Sequence, residues 1–280
     1  MLRLLRKNKN IFSHTISTSR FFYGKLIKKT DLILLLETLI KEYSIPEPNV
    51  LGNIVEEYIV ADSAKVYLVK SRNVLYYMIK EPDVNPELSA KIITILLQHC
   101  TEKCDNIKDV SDTLSKYGKE FIDEFMNNPL HIIYHYKKLQ SGYGPLYPIV
   151  SDPMIEEVAG SQEDGVVYVI HRKYTWYGWI KTNIVLDKPA MDRLVLSLAR
   201  KAGRHLSLSH PIAEGLTDDG IRIALTYARE VSRRGSSFVL RKKPWTPWTI
   251  TRVIDRGMLS PQATAYLWPV SYTHLTLPTN

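Results

Sequence analysis

Apolar and polar positions along this chain repeat with two periods, and the period changes near residue 142. In the first half, Asp31 to Tyr43 is dense in leucine and isoleucine behind a capping aspartate, and Ile45-Pro-Glu-Pro48 stops it, which predicts a helix. Two short runs with strand character follow, Ala64 to Val69 and Val74 to Ile79, joined by Lys70-Ser-Arg-Asn73 as a hairpin turn. After the breaker Glu81-Pro-Asp-Val-Asn-Pro86 the period is helical, over about Pro86 to Cys104, Asp109 to Asn127 and Pro129 to Gln140. Pro86 and Pro129 suit first-turn positions, and Leu88, Ile92, Ile95 and Leu96 share one face.

Glycine and proline alternate with aromatics in Gly142-Tyr-Gly-Pro-Leu-Tyr-Pro148, which marks a joint. Beyond it the texture is that of strands: Ile155 to Ala159, Val166 to His171 and Lys181 to Leu186. A helix from Lys188 to Ala202 carries the stripe Met191, Leu194, Val195, Leu198 and Ala202, with Gly203 just past its end. Ile212 to Leu216 and Gly220 to Tyr227 flank the tight turn Asp218-Asp219-Gly220, and a last strand runs from Ser236 to Arg241. Helices near Thr249 to Arg256 and Ser260 to Trp268 close the pattern. The fold class is α+β: a mixed, mostly helical domain over 31–141, then a small α/β domain over 142–245 with a mainly antiparallel sheet and one packed helix. Residues 246–270 read as linker and helices.

The 280 residues suffice for two modest cores, and the net charge of +8 points to anionic partners without choosing among nucleotide, nucleic acid and acidic lipid. Residues 1–30 are acid-poor, with Arg3, Arg6, Lys7, Lys9, Arg20, Lys25, Lys28 and Lys29, and read as a basic tail without a packed core rather than a transit peptide. The longest apolar run, Leu32 to Ile40, is too short to span a bilayer and contains Glu37. Cys100 and Cys104 lack a second ligand pair at zinc spacing and read as reduced thiols.

Candidate chemistry concentrates in the arginines of the second half. In the strand ending at Tyr227, Ile221, Ile223 and Leu225 point one way, and Arg222, Ala224 and Thr226 the other. In the last strand Arg241 projects opposite Phe238 and Leu240, and Arg234 lies in the turn Ser232-Arg-Arg-Gly-Ser236. Guanidinium forks match phosphate oxygens and stay charged, so such a set reads either as a phosphate clamp or as a solvated basic strand face.

The motifs also carry a resemblance. The Gly142 to Pro148 segment followed by Ser151-Asp-Pro-Met-Ile-Glu-Glu-Val158, then Val167-Tyr-Val-Ile-His-Arg-Lys-Tyr174, Thr182-Asn-Ile-Val185, Ala202-Gly-Arg-His-Leu-Ser207, Asp219-Gly-Ile-Arg-Ile223, Arg234-Gly-Ser-Ser-Phe238 and Leu240-Arg-Lys242 resemble, in order, the signatures of the type II/type IV secretion ATPases. They are especially similar to archaeal pilus and archaellum motors, and the similarity extends to Ala265-Tyr-Leu-Trp268. The resemblance implies a PAS-like α/β domain in the amino-terminal half of a cytoplasmic, membrane-peripheral hexameric motor. Such a motor uses ATP and Mg2+ and docks on a polytopic membrane platform protein. It also implies that Arg222, Arg234 and Arg241 reach nucleotide phosphates at a subunit boundary, while Arg229 and Arg233 match no arginine of the pattern.

The family's phosphate-binding loop, Gly-x-x-x-x-Gly-Lys-Ser/Thr, and hence its RecA-like ATPase domain, is absent from this sequence: the pairs Gly24-Lys25 and Gly118-Lys119 are followed by Leu26 and Glu120. This chain alone is therefore expected not to hydrolyse ATP or hold a nucleotide tightly. The tail Ser271 to Asn280 does not resemble the family continuation and reads as a truncation or a foreign junction near Pro269. The rival readings are a basic nucleic-acid module and a structural docking domain, of which the resemblance disfavours the first. Among lesser candidates, His131 and His135 share a helical face without the glutamate of a metalloprotease motif. Ser207, Ser209, His210 and Asp218 lack a nucleophile elbow, Trp176, Tyr177 and Trp179 read as packing aromatics, and His205 as a capping or packing residue.

Overall fold

A computed structural model describes residues 29–99, 107–244 and 248–275. The basic segment up to residue 28, Cys100 and Cys104, and residues 276–280 of the tail lie outside the described residues. The chain is α+β. Helix α1 (Lys29–Glu42) precedes strands β1 (Asn53–Val60), β2 (Ala64–Ser71) and β3 (Val74–Lys80). Helices α2 (Pro86–His99), α3 (Ile107–Leu114), α4 (Lys119–Asn127), α5 (Pro129–Gln140) and α6 (Tyr147–Ser151) come next. Then follow β4 (Ile155–Ser161), β5 (Val166–His171), β6 (Ile180–Val185), α7 (Lys188–Lys201), β7 (Ile212–Leu216), β8 (Arg222–Thr226) and β9 (Ser237–Arg241). The described residues up to Lys242 form one compact unit, and those from Lys243 a second.

The strands make one nine-stranded sheet in the order β1-β2-β3-β6-β5-β4-β9-β8-β7. Neighbours are antiparallel except β3 and β6, which run parallel and share only the pairs Tyr76 with Lys181 and Tyr77 with Thr182. The sheet thus runs continuously through strands on both sides of the Gly142 joint. Where the β3–β6 ladder stops, the Asn183 amide replaces it: Oδ1 accepts from Ile79 N at 2.9 Å, and Nδ2 donates to Ile79 O at 2.7 Å. A side-chain amide carries the same donor and acceptor as a peptide, so it extends the ladder without a strand.

Local rules explain most elements. The pair Ser71 with Val74 leaves Arg72-Asn73 as a two-residue hairpin loop, which requires positive φ, and Arg72 has φ 55°. Helix α7 starts at Asp187, whose Oδ1 accepts from Ala190 N at 2.7 Å, and ends before Gly203 at φ 62°. It buries Met191, Leu194, Val195, Leu198 and Ala199 against β7, β8 and β9. Each such side chain contributes about 1.5–3 kcal/mol on burial. A separate helical core gathers Leu36, Ile92, Ile93, Leu96, Phe125 and Ile132 from α1, α2, α4 and α5.

Three elements differ from the sequence expectation. The segment expected as one helix over 109–127 is two helices, because Gly118 sits at φ 142°, which no helix continues through. Strand β1 goes unread in the sequence because its alternation is broken by a register shift between Ile54 and Glu56. In the second unit α8 (Ile250–Asp255) starts at Thr249, whose hydroxyl accepts from Arg252 N at 3.4 Å. There α9 (Pro261–Leu275) runs beyond Trp268 with Pro269 inside it, a residue that removes one donor from the ladder but not the rest. Among the described residues, no helix is long and apolar enough to cross a membrane.

Candidate functional site

The outward face of β4, β9, β8 and β7 carries the candidate site. In β8 and β9 burial alternates as the sequence requires: Ile223, Leu225, Phe238 and Leu240 are buried under α7, while Arg222, Ala224, Val239 and Arg241 face out. Three cross-strand rows follow from the register. One reads Glu157, Arg241, Arg222, Leu216; the next Ala159, Val239, Ala224, Glu214; the last Ser161, Ser237, Thr226, Ile212. Arg222 and Arg241 are therefore direct cross-strand partners, two cations side by side at one end of the face. Like charges directly opposite oppose pairing, so the arrangement costs stability unless an anion joins it. Arg241 Nε lies 3.3 Å from Glu157 Oε1, the one carboxylate of that row.

Arg234 is elsewhere. It lies in the β8–β9 turn, at the end of the strands opposite Arg222 and Arg241, and its Nη1 donates to Glu163 Oε2 at 2.7 Å. From Ser237 to Arg241 the strand alone spans about 13 Å at 3.3 Å per residue. The structure thus brings together two of the three sequence-derived arginines and separates the third. The rest of the Arg234-Gly-Ser-Ser-Phe238 motif is structural. Gly235 has φ 94°, and a Cβ there would fall 1.8 Å from Gln162 Oε1. Ser236 donates to Asp192 Oδ1 at 2.5 Å and accepts from Ala228 N at 2.9 Å.

Behind the arginine row lies a buried polar centre that the sequence motifs did not single out as chemistry. Asp152 is fully buried; its Oδ2 accepts from Tyr58 at 2.8 Å and Tyr77 at 2.7 Å, and its Oδ1 from Met154 N at 2.7 Å. Burial, reinforced by the Asp152 carboxylate, pushes both phenols well above their ordinary range, so they stay protonated and donate. His171 Nδ1 accepts from Lys173 N at 3.2 Å, which leaves its proton on Nε2, 3.3 Å from the Tyr58 hydroxyl. Burial holds the His171 pKa below the usual imidazole value, against the pull of Asp152 and Glu56. Lys242 Nζ donates to the Asp152 carbonyl, and burial pushes the amine down to about 8, against Asp152 and with Arg172. The signal that could have found this centre is a buried aspartate in the Ser151-Asp-Pro153 turn set against two tyrosines of β1 and β3.

Other motif residues act as joints. Tyr143 donates to Asp219 Oδ2 at 2.9 Å while Lys201 pairs with Asp219 Oδ1 at 3.1 Å, tying the Gly142 joint to the β7–β8 turn. Lys173 and Tyr174 both bond Glu56 Oε2 at 2.9 Å, which fastens β1 to the segment after β5. His131 Nδ1 and His135 Nε2 each lie 3.1 Å from a carbonyl of the breaker, Asp83 O and Pro82 O. Ser207 Oγ bonds Ser209 Oγ at 3.0 Å and accepts from His210 N at 3.2 Å, an ordinary hydroxyl turn, and Asp218 sits in the separate β7–β8 turn. Two expectations change. His205 is exposed, and the residue of its segment that packs into the core is Leu206, 6% exposed. Of the aromatics expected to pack, Tyr177 lies against the main core, and Trp176 and Trp179 are 72% and 46% exposed, with the Trp176 ring 5.5 Å from that of Tyr174 and 6.1 Å from that of Tyr177.

No family model matches the chain. Among curated proteins it is 30% identical over 190 residues to the uncharacterized protein MJ0900 of Methanocaldococcus jannaschii, covering 64% of this chain and 32% of that protein. It is 32% identical over 148 residues to the uncharacterized protein MJ1288 of the same organism, covering 51% of this chain and 57% of that one. A third, MJ0781, is 26% identical over 211 residues, with 73% and 28% covered. The chain thus spans about a third to somewhat over half of the length of these relatives. Among solved structures, the VirB11 ATPase of the Brucella suis type IV secretion system, in complex with sulphate, aligns with TM-score 0.36 and 23% identity over 44% of this chain and 36% of its own.

Proposed function

We propose that this chain is the amino-terminal half of a secretion or pilus-assembly motor ATPase and that Arg222 and Arg241 contact nucleotide phosphates in it. The observation that carries the reading is the direct cross-strand pairing of Arg222 with Arg241 on an exposed face, within a chain whose ordered motifs resemble that family. Two adjacent guanidinium forks present donors spaced for the oxygens of one phosphoryl group, and aimed at developing charge they stabilise a transition state electrostatically. Arg234 belongs to the same proposal as a separate contact. ATP with Mg2+ is the nucleotide of the complete motor, a homo-hexamer in the cytoplasm at the membrane periphery, docked on a polytopic platform protein.

The test is turnover in the longer ATP-hydrolysing protein carrying these residues. R222A and R241A are each expected to lower kcat by on the order of 10²- to 10³-fold, the cost of removing one preorganised electrostatic donor, with hexamer assembly intact. Together they should cost little more than either alone, because they share one phosphoryl group. R234A should act additively with either. Unchanged turnover in both R222A and R241A would overturn the reading.

A docking role gains support from one observation, the exposed Trp176 and Trp179 on the loop between β5 and β6. Exposed tryptophans are frequent anchors of protein interfaces. If docking were the whole function, W176A with W179A would abolish platform binding while R222A left the motor unaffected.

A further inference from the structure

Strand β4 carries two consecutive glutamates where strict alternation would send one into the core. Ile155 and Val158 are both buried, and Glu156 and Glu157 between them are both partly exposed. The register with β5 shifts between Ile155 and Glu157, so one extra residue is accommodated there. A bulge of this kind re-aims the residue that follows it. Here it keeps Glu157 on the outward face, in register with Arg241, and holds its carboxylate 3.3 Å from Arg241 Nε.

We infer that Glu157 is a built-in competitor for the anion at the Arg222–Arg241 pair: it neutralises one guanidinium and so weakens anion binding there. This rests on the phosphate reading above and deepens it. The charge count of the row supports it, since two guanidiniums and one carboxylate leave a single positive charge for a ligand that carries two or more negative ones. The geometry fits a placeholder better than a permanent partner. The contact is between Nε and Oε1 at 3.3 Å, and the Arg241 side chain stays 66% exposed, so the guanidinium remains open to solvent. An exposed pair of this kind is weak and yields to a better ligand. The acid that makes the arginine pair tolerable in the sheet also lowers its affinity for phosphate.

The experiment titrates this chain with pyrophosphate and reads backbone amide shifts of β8 and β9 by NMR, at two or more salt concentrations. E157Q keeps the shape and removes the charge. It is expected to bind about two- to fivefold more tightly than wild type, the range set by an exposed ion pair. Its affinity should also fall more steeply with salt, because one more positive charge is screened. In an R241A background the same substitution should have no more than a residual effect. Equal or weaker binding by E157Q, or a gain that survives R241A, overturns the competitor role. If wild type and E157Q both show no shifts even at the millimolar pyrophosphate that weak binding by this chain alone calls for, or R222A and R241A bind it as well as wild type, the phosphate reading itself falls and this inference falls with it.

Discussion

Two ionic clusters of this molecule are built on opposite plans. At the end of β3, Glu81 and Lys138 form a pair with side chains 9% and 2% exposed, and Lys138 Nζ to Glu81 Oε1 is 2.5 Å. Every neighbouring group joins in: Tyr134 donates to Glu81 Oε1, Ile45 N to Glu81 Oε2 at 2.8 Å, and Lys138 also donates to Tyr43 O at 2.6 Å. On the outer face of β8 and β9, two arginines stand side by side with one loosely held carboxylate. The first cluster has balanced charge, and its amine and both carboxylate oxygens are hydrogen-bonded, as burial requires. The second has surplus charge and open donors, tolerated because water screens it. Closure marks a cluster that holds the fold together; openness leaves charge within reach of solvent, which is what the proposed phosphate contact requires.

The sharpest way to break this contrast is to open the closed cluster. K138M leaves the Glu81 carboxylate buried without its cation, and is expected to cost about 3–5 kcal/mol in urea unfolding. Burial lowers the Lys138 pKa and Glu81 opposes the shift, so the amine depends on that one acid for its charge. The Asp152 centre is next. D152N turns one acceptor into a donor facing two phenols, and should cost about 2–3 kcal/mol by the same measurement. A loss below about 0.5 kcal/mol in either variant would show that the closed clusters are not what holds these elements.

How much of this was legible beforehand depends on whether a local rule was at work. The outward placement of Arg222 and Arg241 follows from strict alternation around Ile223, Leu225, Phe238 and Leu240, and the structure keeps it. Helix α5 and strands β5 and β7 occupy the residues that their patterns predict, since a first-turn proline marks α5, a β-branched run β5, and the Asp218-Asp219-Gly220 turn follows β7. What stayed hidden was non-local. That Arg222 faces Arg241 while Arg234 sits at the far end depends on strand register. The partners of Asp152 come from β1 and β3, far away in the chain. Bulges hid the rest: a shifted register in β1 masked a strand, and one in β4 placed Glu157 outward against its parity.

A titration sharpens the comparison from another side. Lys242 has its folded pKa lowered to about 8 from 10.5, mainly by burial. Between those values the unfolded chain binds more protons than the folded one, so stability rises with pH across that window. Below about pH 8 both states are protonated and the penalty is present in full; above 10.5 it is gone. The difference in unfolding free energy between wild type and K242M should therefore rise in favour of wild type from pH 8 to 10.5. A flat difference would mean that the Lys242 amine is not held in a buried site.

The smallest effect is expected where the charges are most conspicuous. R222A and R241A remove large cations, yet each should change stability by no more than about 0.5 kcal/mol, because surface substitutions away from packed features do little. The sign is informative. Removing Arg222 relieves the repulsion it exerts on Arg241 and leaves the Glu157 contact in place, so R222A should be neutral or slightly stabilising. Removing Arg241 strips Glu157 of its partner and should be neutral or slightly destabilising. The double variant should lie close to R241A alone, since the repulsion and the salt bridge both end at Arg241. Raising the salt concentration should shrink these differences, because both contacts are exposed to solvent. A loss of 2 kcal/mol in R222A would place that arginine among the residues that hold the sheet together, and the open cluster would then differ from the closed one only in its exposure.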